Sequence, residues 1–213
     1  MGERSDRGRS LKEIFVYVEG GGKGSSAGNL RVSLQNGLFN DIRSRAAARG
    51  IKLQFVACTD RGTTIKQFSH SVRTKSHISL LLVDSEGPVR TSVTQHLRVD
   101  YKDEIPGEER QYHLMVQTME SWFVADAEAL QRYFGPNATI RNLPLQGSVE
   151  DIPKERLYTL LHEVAKSGGR AGYRKGTDQA ELLLLIDPDK VAERSPHFHR
   201  FRQTLRELTE VAG

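Results

Sequence analysis

The sequence predicts an α/β protein whose mainly parallel sheet is covered by helices on both faces. Three observations lead to this fold class. Short apolar runs alternate with amphipathic stretches over residues 13–134. The first run is rich in residues that favour strands and ends in glycines, as a buried strand does. A composition of 37% hydrophobic and 27% charged residues is typical of a globular protein with a sizeable core.

The elements follow in order along the chain. Strands are predicted for EIFVYV (13–18), IKLQFVAC (51–58), HISLLLVD (77–84) and YHLMVQ (112–117). Helices are predicted for residues 29–50, 64–73, 91–99 and 121–134. The first of these helices has one apolar stripe at four-residue steps and ends at Gly50. The stripe consists of Leu30, Leu34, Leu38 and Ile42.

The character of the chain changes after about residue 136. Turn-forming residues come first, and three helical stretches follow over residues 154–168, 177–193 and 198–212. We therefore expect a disordered lead-in at residues 1–10, an α/β domain at 11–136, and a helical extension at 137–213. The extension is expected to pack on the same core as the sheet.

Composition and charge exclude several classes of protein. The single cysteine, Cys58, rules out an internal disulfide. No stretch approaches the roughly 20 apolar residues that span a bilayer, and the polar start MGERSDRGRS is unlike a signal peptide. A cytoplasmic protein that does not bind a membrane is expected by default. The formal charge of +4 is compatible with nucleic acid as a partner, although many basic proteins bind none.

The glycine-rich stretch FVYVEGGGKGSSAGNL (15–30) has the outline of a phosphate-binding loop. A Walker-type loop requires a glycine five positions before the Gly-Lys pair and a hydroxyl directly after the lysine. Those positions hold Tyr17 and Gly24, so the spacing fails. A dinucleotide-binding pattern is also disfavoured, because Glu19 at the strand tip would repel a pyrophosphate. The glycines therefore direct attention to Glu19 itself.

Acidic side chains follow the predicted ends of the first and third strands. Glu19 ends the first strand, while Asp84 and Glu86 end the third. Two residues apart on an extended backbone, Asp84 and Glu86 point to the same side. The ends of parallel strands can be neighbours, so three carboxylates are expected to converge there. Such a group favours Mg²⁺ or Mn²⁺ over zinc. The alternative is that Asp84 and Glu86 cap a turn.

Glu120 is a fourth acidic candidate, because it follows the fourth strand and starts the helix that holds Trp122. One interpretation is a further metal ligand at the same edge of the sheet. The other is an acidic residue that interacts with the helix dipole in the first turn. Trp122 is expected in the core rather than as a platform for a nucleic-acid base.

Basic residues near the same edge are candidates for binding phosphate. Lys23 and Arg61 lie in loops after the first and second strands, and the glycine-rich GGRAGYRKG contains Arg170, Arg174 and Lys175. Glycines let backbone N–H groups approach an anion, while arginine and lysine supply charge. Each of these residues taken alone is equally compatible with an ordinary solvated surface.

The segments VYVEGGG and LLLVDSE resemble the Toprim fold of topoisomerases, bacterial primases, recombination proteins and overcoming-lysogenization-defect nucleases. HLMVQTMESWFVAD and SPHFHRF look more narrowly like a bacterial Toprim-like family of unknown function, often encoded beside an ATPase in apparent defence loci. The Toprim resemblance covers about residues 13–130. The resemblance implies that Glu19 is a general acid/base and that Asp84 and Glu86 bind the metal. The pair here is Asp-x-Glu, and Lys23 stands where many relatives have an acid.

These observations support two principal hypotheses. The first is a Mg²⁺- or Mn²⁺-dependent nuclease, or a related phosphoryl-transfer enzyme, that acts on nucleic acid with DNA favoured over RNA. It would serve a defence or DNA-maintenance system with an ATPase partner, as the resemblance implies. The second is a non-catalytic Toprim-fold module that binds nucleic acid or a protein, which Lys23 favours. A toxin-like effector that a partner keeps silent is a third, weaker alternative.

Overall fold

The computed structural model describes residues 12–20, 25–75, 77–100 and 105–210. Its centre is a four-stranded sheet in the order β2-β1-β3-β4, with every pair of neighbours parallel. The strands are β1 (Lys12–Glu19), β2 (Ile51–Cys58), β3 (Ile78–Asp84) and β4 (Tyr112–Met115). The α/β class and all four predicted strands are confirmed, and the arrangement matches a Toprim-like fold. The lead-in predicted for residues 1–10 lies outside the described residues.

The described helices begin with α1 (Ser25–Ser33), α2 (Asn40–Ala48), α3 (Arg61–Thr74), α4 (Val93–Asp100), α5 (Glu120–Ala125) and α6 (Ala127–Phe134). They continue with α7 (Lys154–Ser167), α8 (Thr177–Leu185), α9 (Pro188–Arg194) and α10 (Pro196–Glu210). Every stretch predicted as helical contains helix, but three of the predicted helices are interrupted.

The first interruption is a π-helical turn, Leu34–Leu38, between α1 and α2. Gly37 in this turn lies so close to α8 that an added Cβ would sit 2.4 Å from the carbonyl oxygen of Leu183. A contact this tight requires a residue without a side chain. The predicted apolar stripe is nevertheless buried. The helical periodicity was therefore predicted correctly, but the prediction of one continuous helix was wrong.

The other two interruptions occur at aspartates. Asp126 separates α5 from α6, and its Oδ1 accepts a hydrogen bond from the backbone N of Ala129 at 3.1 Å. Asp187 separates α8 from α9 and caps α9 through the backbone N of Asp189 at 2.8 Å. Capping aspartates favour the start of a new helix, and Pro188 disfavours helical geometry at the residue before it.

Hydrophobic clusters lie on both faces of the sheet. On one face, α3 and α4 cover a smaller cluster that includes Phe68 and Leu97. On the other face, the larger cluster combines strand residues with α1, α2 and the helices after residue 136. Trp122 is fully buried there and packs edge-to-face on Phe198 of α10, with ring centroids 4.9 Å apart. The helices beyond residue 136 thus share the core of the sheet.

No helix among the described residues has both the length and the apolar character needed to cross a membrane.

Candidate metal centre

The carboxyl edge of the sheet brings Glu19 and Asp84 together. β1 and β3 are neighbours with Val18 opposite Leu82, so both strands end at the same level. The backbone N of Asp84 donates a hydrogen bond to Glu19 Oε2 at 3.1 Å. Gly20 follows Glu19 with φ of +107°, a value in the left-handed region that favours glycine.

Glu86 joins this pair by a route that the sequence did not predict. The backbone after Asp84 is not extended, because Glu86 has φ of +61° in the left-handed region. The turn is held by hydrogen bonds from the backbone N of Ser85 to Met115 O (3.0 Å) and from that of Glu86 to Gln117 O (2.9 Å). Glu19, Asp84 and Glu86 each offer one oxygen, and the three oxygens lie within 4.8 Å of one another. The expected convergence is present, but a turn rather than strand alternation produces it.

Burial makes this group of acids electrostatically costly. Burial raises the pKa of Asp84 well above its usual range, and the nearby charges of Glu120 and Glu19 raise it further. Burial also raises the pKa of Glu19, against an opposing effect of Arg61. Asp84 Oδ1 accepts a hydrogen bond from the backbone N of Met119 at 3.0 Å, which orients its side chain. A bound cation would relieve the remaining repulsion.

Arg61 is fixed beside the three acids. It is the first residue of α3, whose N-terminus is capped by Asp60 through the backbone N of Thr63. Its Nε donates to Glu19 Oε2 at 3.4 Å, and its Nη2 donates to the carbonyl oxygen of Asp84. Nη2 also lies 4.0 Å from Glu86 Oε1. The predicted role of Arg61 in phosphate binding stays a prediction, but its place at the acidic edge is established.

Lys154 was missed by the sequence analysis and contacts the group directly. Its Nζ forms an ion pair with Glu86 Oε2, and its backbone N donates to Gln117 Oε1 at 3.1 Å. The segment Pro153-Lys154-Glu155 is an ordinary helix start, and no local signal indicates proximity to a residue 68 positions earlier. Only the packing of α7 against α5 and α6 brings Lys154 to this place.

Glu120 lies near enough to Asp84 for its charge to raise the pKa of Asp84, but it is outside the group of three whose oxygens lie within 4.8 Å of one another. Its side chain is fully buried at the start of α5. Oε1 accepts a hydrogen bond from the hydroxyl of Tyr173 at 3.2 Å and lies 3.9 Å from Lys175 Nζ. Oε2 is buried and has no hydrogen-bond partner among the described residues. Metal ligation by Glu120 stays a prediction.

The structure separates the basic residues of the glycine-rich loop. Lys175 lies at the acidic edge, where it pairs with Glu120. Arg170 and Arg174 instead lie against Asp178. Arg174 Nη2 is 3.0 Å and Arg170 Nη1 is 3.8 Å from Asp178 Oδ1. The Arg170 guanidinium also lies 4.5 Å above the ring centre of Tyr133. Phosphate binding by these residues stays a prediction.

Lys23, the remaining predicted phosphate-binding residue, lies outside the described residues.

The donors at this edge suit a hard divalent cation. All three converging groups are carboxylates, which Mg²⁺ and Mn²⁺ prefer, and no sulfur donor belongs to the group. The chain is therefore a parallel α/β protein with a candidate metal centre at the carboxyl edge of its sheet. It belongs to the family described as a domain of unknown function (DUF4276), whose model matches residues 18–206. No curated protein and no solved structure matches the chain significantly.

Proposed function

We propose that the protein is a Mg²⁺- or Mn²⁺-dependent nuclease, or a related phosphoryl-transfer enzyme, that acts on nucleic acid. The observation that carries the proposal is the meeting of Glu19, Asp84 and Glu86 within 4.8 Å in a basic protein. Three close carboxylates are unfavourable without a cation, and a divalent ion among them is well placed to bind a phosphodiester. DNA is the favoured substrate, in line with the resemblance to DNA-processing Toprim proteins.

Each residue of the centre has a role in this proposal. Asp84 and Glu86 hold the cation, and Glu19 transfers a proton. The raised pKa of Glu19, caused mainly by burial, brings this carboxyl closer to the range where it both accepts and donates a proton. Arg61 and Lys154 place positive charge beside the acids, where phosphate oxygens would bind. When bound, the cation neutralises phosphate charge and activates water.

The Toprim relationship and the biological setting belong to the same proposal. The parallel sheet with acids at the ends of β1 and β3 is the arrangement that the Toprim resemblance implies. Membership of a family of unknown function agrees with the narrower resemblance. We therefore propose a defence or DNA-maintenance role with an ATPase partner, which co-purification with the product of a neighbouring ATPase gene would test.

A nuclease assay with amide variants tests the activity. Wild-type protein is incubated with single- and double-stranded DNA and RNA in Mg²⁺, Mn²⁺ or EDTA. We expect metal-dependent cleavage that falls at least about 100-fold in Glu19→Gln and Asp84→Asn, the scale expected for loss of a general acid/base. Glu13→Gln is the matched control, since Glu13 lies at the other end of β1 and pairs with Lys52. Full activity in Glu19→Gln and Asp84→Asn rules the proposal out.

The second candidate function is a non-catalytic module that binds nucleic acid or a protein partner. The position of Arg61 favours it, because its guanidinium already offsets charge on Glu19. In such a module the acids and Arg61 would form a structural network. Thermal melting distinguishes the two: a bound ion stabilises the fold by mass action, so a melting temperature unchanged in millimolar Mg²⁺ favours the module.

A further inference from the structure

Charges at the acidic edge fall into two parts. Glu19, Asp84 and Glu86 form the close group of three, with Arg61 and Lys154 at its side. Glu120 lies beside this group but outside its 4.8 Å range, and it pairs with Lys175, whose Nζ is 3.9 Å from Oε1. The second oxygen of Glu120 is buried without a hydrogen-bond partner among the described residues, so this side chain retains an unused ligand atom.

Several contacts hold the Lys175 ammonium at this place. Its Nζ donates a hydrogen bond to the hydroxyl of Tyr158 at 3.1 Å. The hydroxyl of Tyr173 in the same loop donates to Glu120 at 3.2 Å. The preceding residue anchors the loop, because the backbone N and Nη2 of Arg174 donate to the buried Asp178 at 2.7 and 3.0 Å. The backbone next to Lys175 is therefore anchored, which restricts where its side chain can lie.

A second fixed point of the loop is Gly172, which lies against the ring of His162. An added Cβ at Gly172 would come within 2.0 Å of that ring. The loop thus cannot shift toward α7 without a clash, and its path past Glu120 is set by packing as well as by charge.

We propose that the centre takes one divalent cation, and that the Lys175 ammonium neutralises Glu120 where a second cation would otherwise bind. This proposal rests on the proposed metal centre and assigns its stoichiometry. At the acidic edge, the four carboxylates of Glu19, Asp84, Glu86 and Glu120 face three basic side chains, which leaves a charge of about −1. The basic side chains are Arg61, Lys154 and Lys175. One divalent ion changes this to about +1, suited to a single phosphodiester, whereas two would leave about +3 in a partly buried site.

Counting bound Mn²⁺ tests the proposal without any substrate. The full-length protein is titrated with Mn²⁺, and free Mn²⁺ is followed by electron paramagnetic resonance alongside calorimetry. We expect one site in the wild type and two in Lys175→Met, because loss of the ammonium leaves Glu120 free to bind an ion. Lys190→Met is the matched control, since it also removes an ammonium that pairs with carboxylates, those of Asp126 and Glu128, but outside the centre. It should still bind one ion.

A second variant keeps the proposal testable if Lys175→Met does not fold. Glu120→Gln should bind one Mn²⁺ with a dissociation constant within about threefold of wild type, whereas Asp84→Asn should lose the site. Two ions in the wild type, one in folded Lys175→Met, or a loss in Glu120→Gln as large as in Asp84→Asn each overturn the proposal. One bound ion without nucleic-acid cleavage leaves it standing and refutes the nuclease assignment instead.

Discussion

Asp84→Asn should stabilise the metal-free protein, although it removes a residue of the candidate centre. Oxygens of Asp84, Glu19 and Glu86 lie within 4.8 Å of one another. Two full charges at that distance repel by about 3 kcal/mol at an effective dielectric constant of about 20. Arg61 offsets part of this, and the variant keeps Oδ1 as acceptor for the backbone N of Met119. We expect a net gain of about 2 kcal/mol in the free energy of unfolding.

The assay is thermal melting in EDTA at pH 8. For a domain of this size, about 2 kcal/mol corresponds to a rise of about 4–8 °C in melting temperature. Asp178→Asn is the matched control, and we expect it to change the melting temperature in the opposite direction. Burial raises the pKa of Asp178, but hydrogen bonds from Arg174 and Tyr133 outweigh it and lower that pKa below its ordinary value. Asp178 is therefore stabilising, and its amide variant should melt lower.

The pH dependence provides a second measure of the same effect. The pKa of Asp84 is raised in the folded state, chiefly by burial. Above the unfolded pKa of about 4 the folded state therefore holds more protons than the unfolded one, and stability falls as pH rises through the folded pKa. Asp84→Asn should flatten this fall. A lower melting temperature at pH 8, with an unchanged pH profile, would show that Asp84 is a structural acceptor rather than a source of repulsion.

Three further outcomes are expected. Millimolar Mg²⁺ should raise the wild-type melting temperature more at pH 8 than at pH 5, because protons compete with the cation for the carboxylates. Burial raises the pKa of Asp84, so equal shifts at the two pH values would contradict ligation by this residue. Gly37→Ala should lower the free energy of unfolding in urea by about 1–3 kcal/mol, because the new Cβ would sit 2.4 Å from Leu183 O. The control is Gly28→Ala, where the added Cβ has open space and should leave stability unchanged or slightly higher. Equal effects of the two variants would argue against the close contact at Gly37. Phe198→Ala should lower the free energy of unfolding by about 3–5 kcal/mol, because this ring is fully buried in the core shared by the sheet and the helices after residue 136. The control is His199→Ala, at the exposed neighbouring position. A loss for Phe198→Ala as small as that of the control would refute the shared core.

The sequence by itself determined the parts of the molecule that depend on local pattern. Apolar runs and helical periods report the burial of neighbouring residues, so the four strands and the buried stripe that runs from α1 through the π-helical turn to α2 were predicted correctly. The sequence also placed Glu19 and Asp84 at one edge, because parallel strands carry the residues at their ends to the same edge of the sheet. Their contact depends on β1 and β3 being neighbours, which the strand order of the structure decides.

Only the tertiary structure decided which charged side chains face one another at that edge. Lys154 reaches Glu86 across 68 positions, and Tyr173 reaches Glu120 across 53. Lys154 and Tyr173 lie in helices and loops whose local sequence is compatible with many positions on the sheet. Their placement depends on the packing of α7 and α8 against α5 and α6, and long-range packing of this kind leaves no periodic signal in the chain.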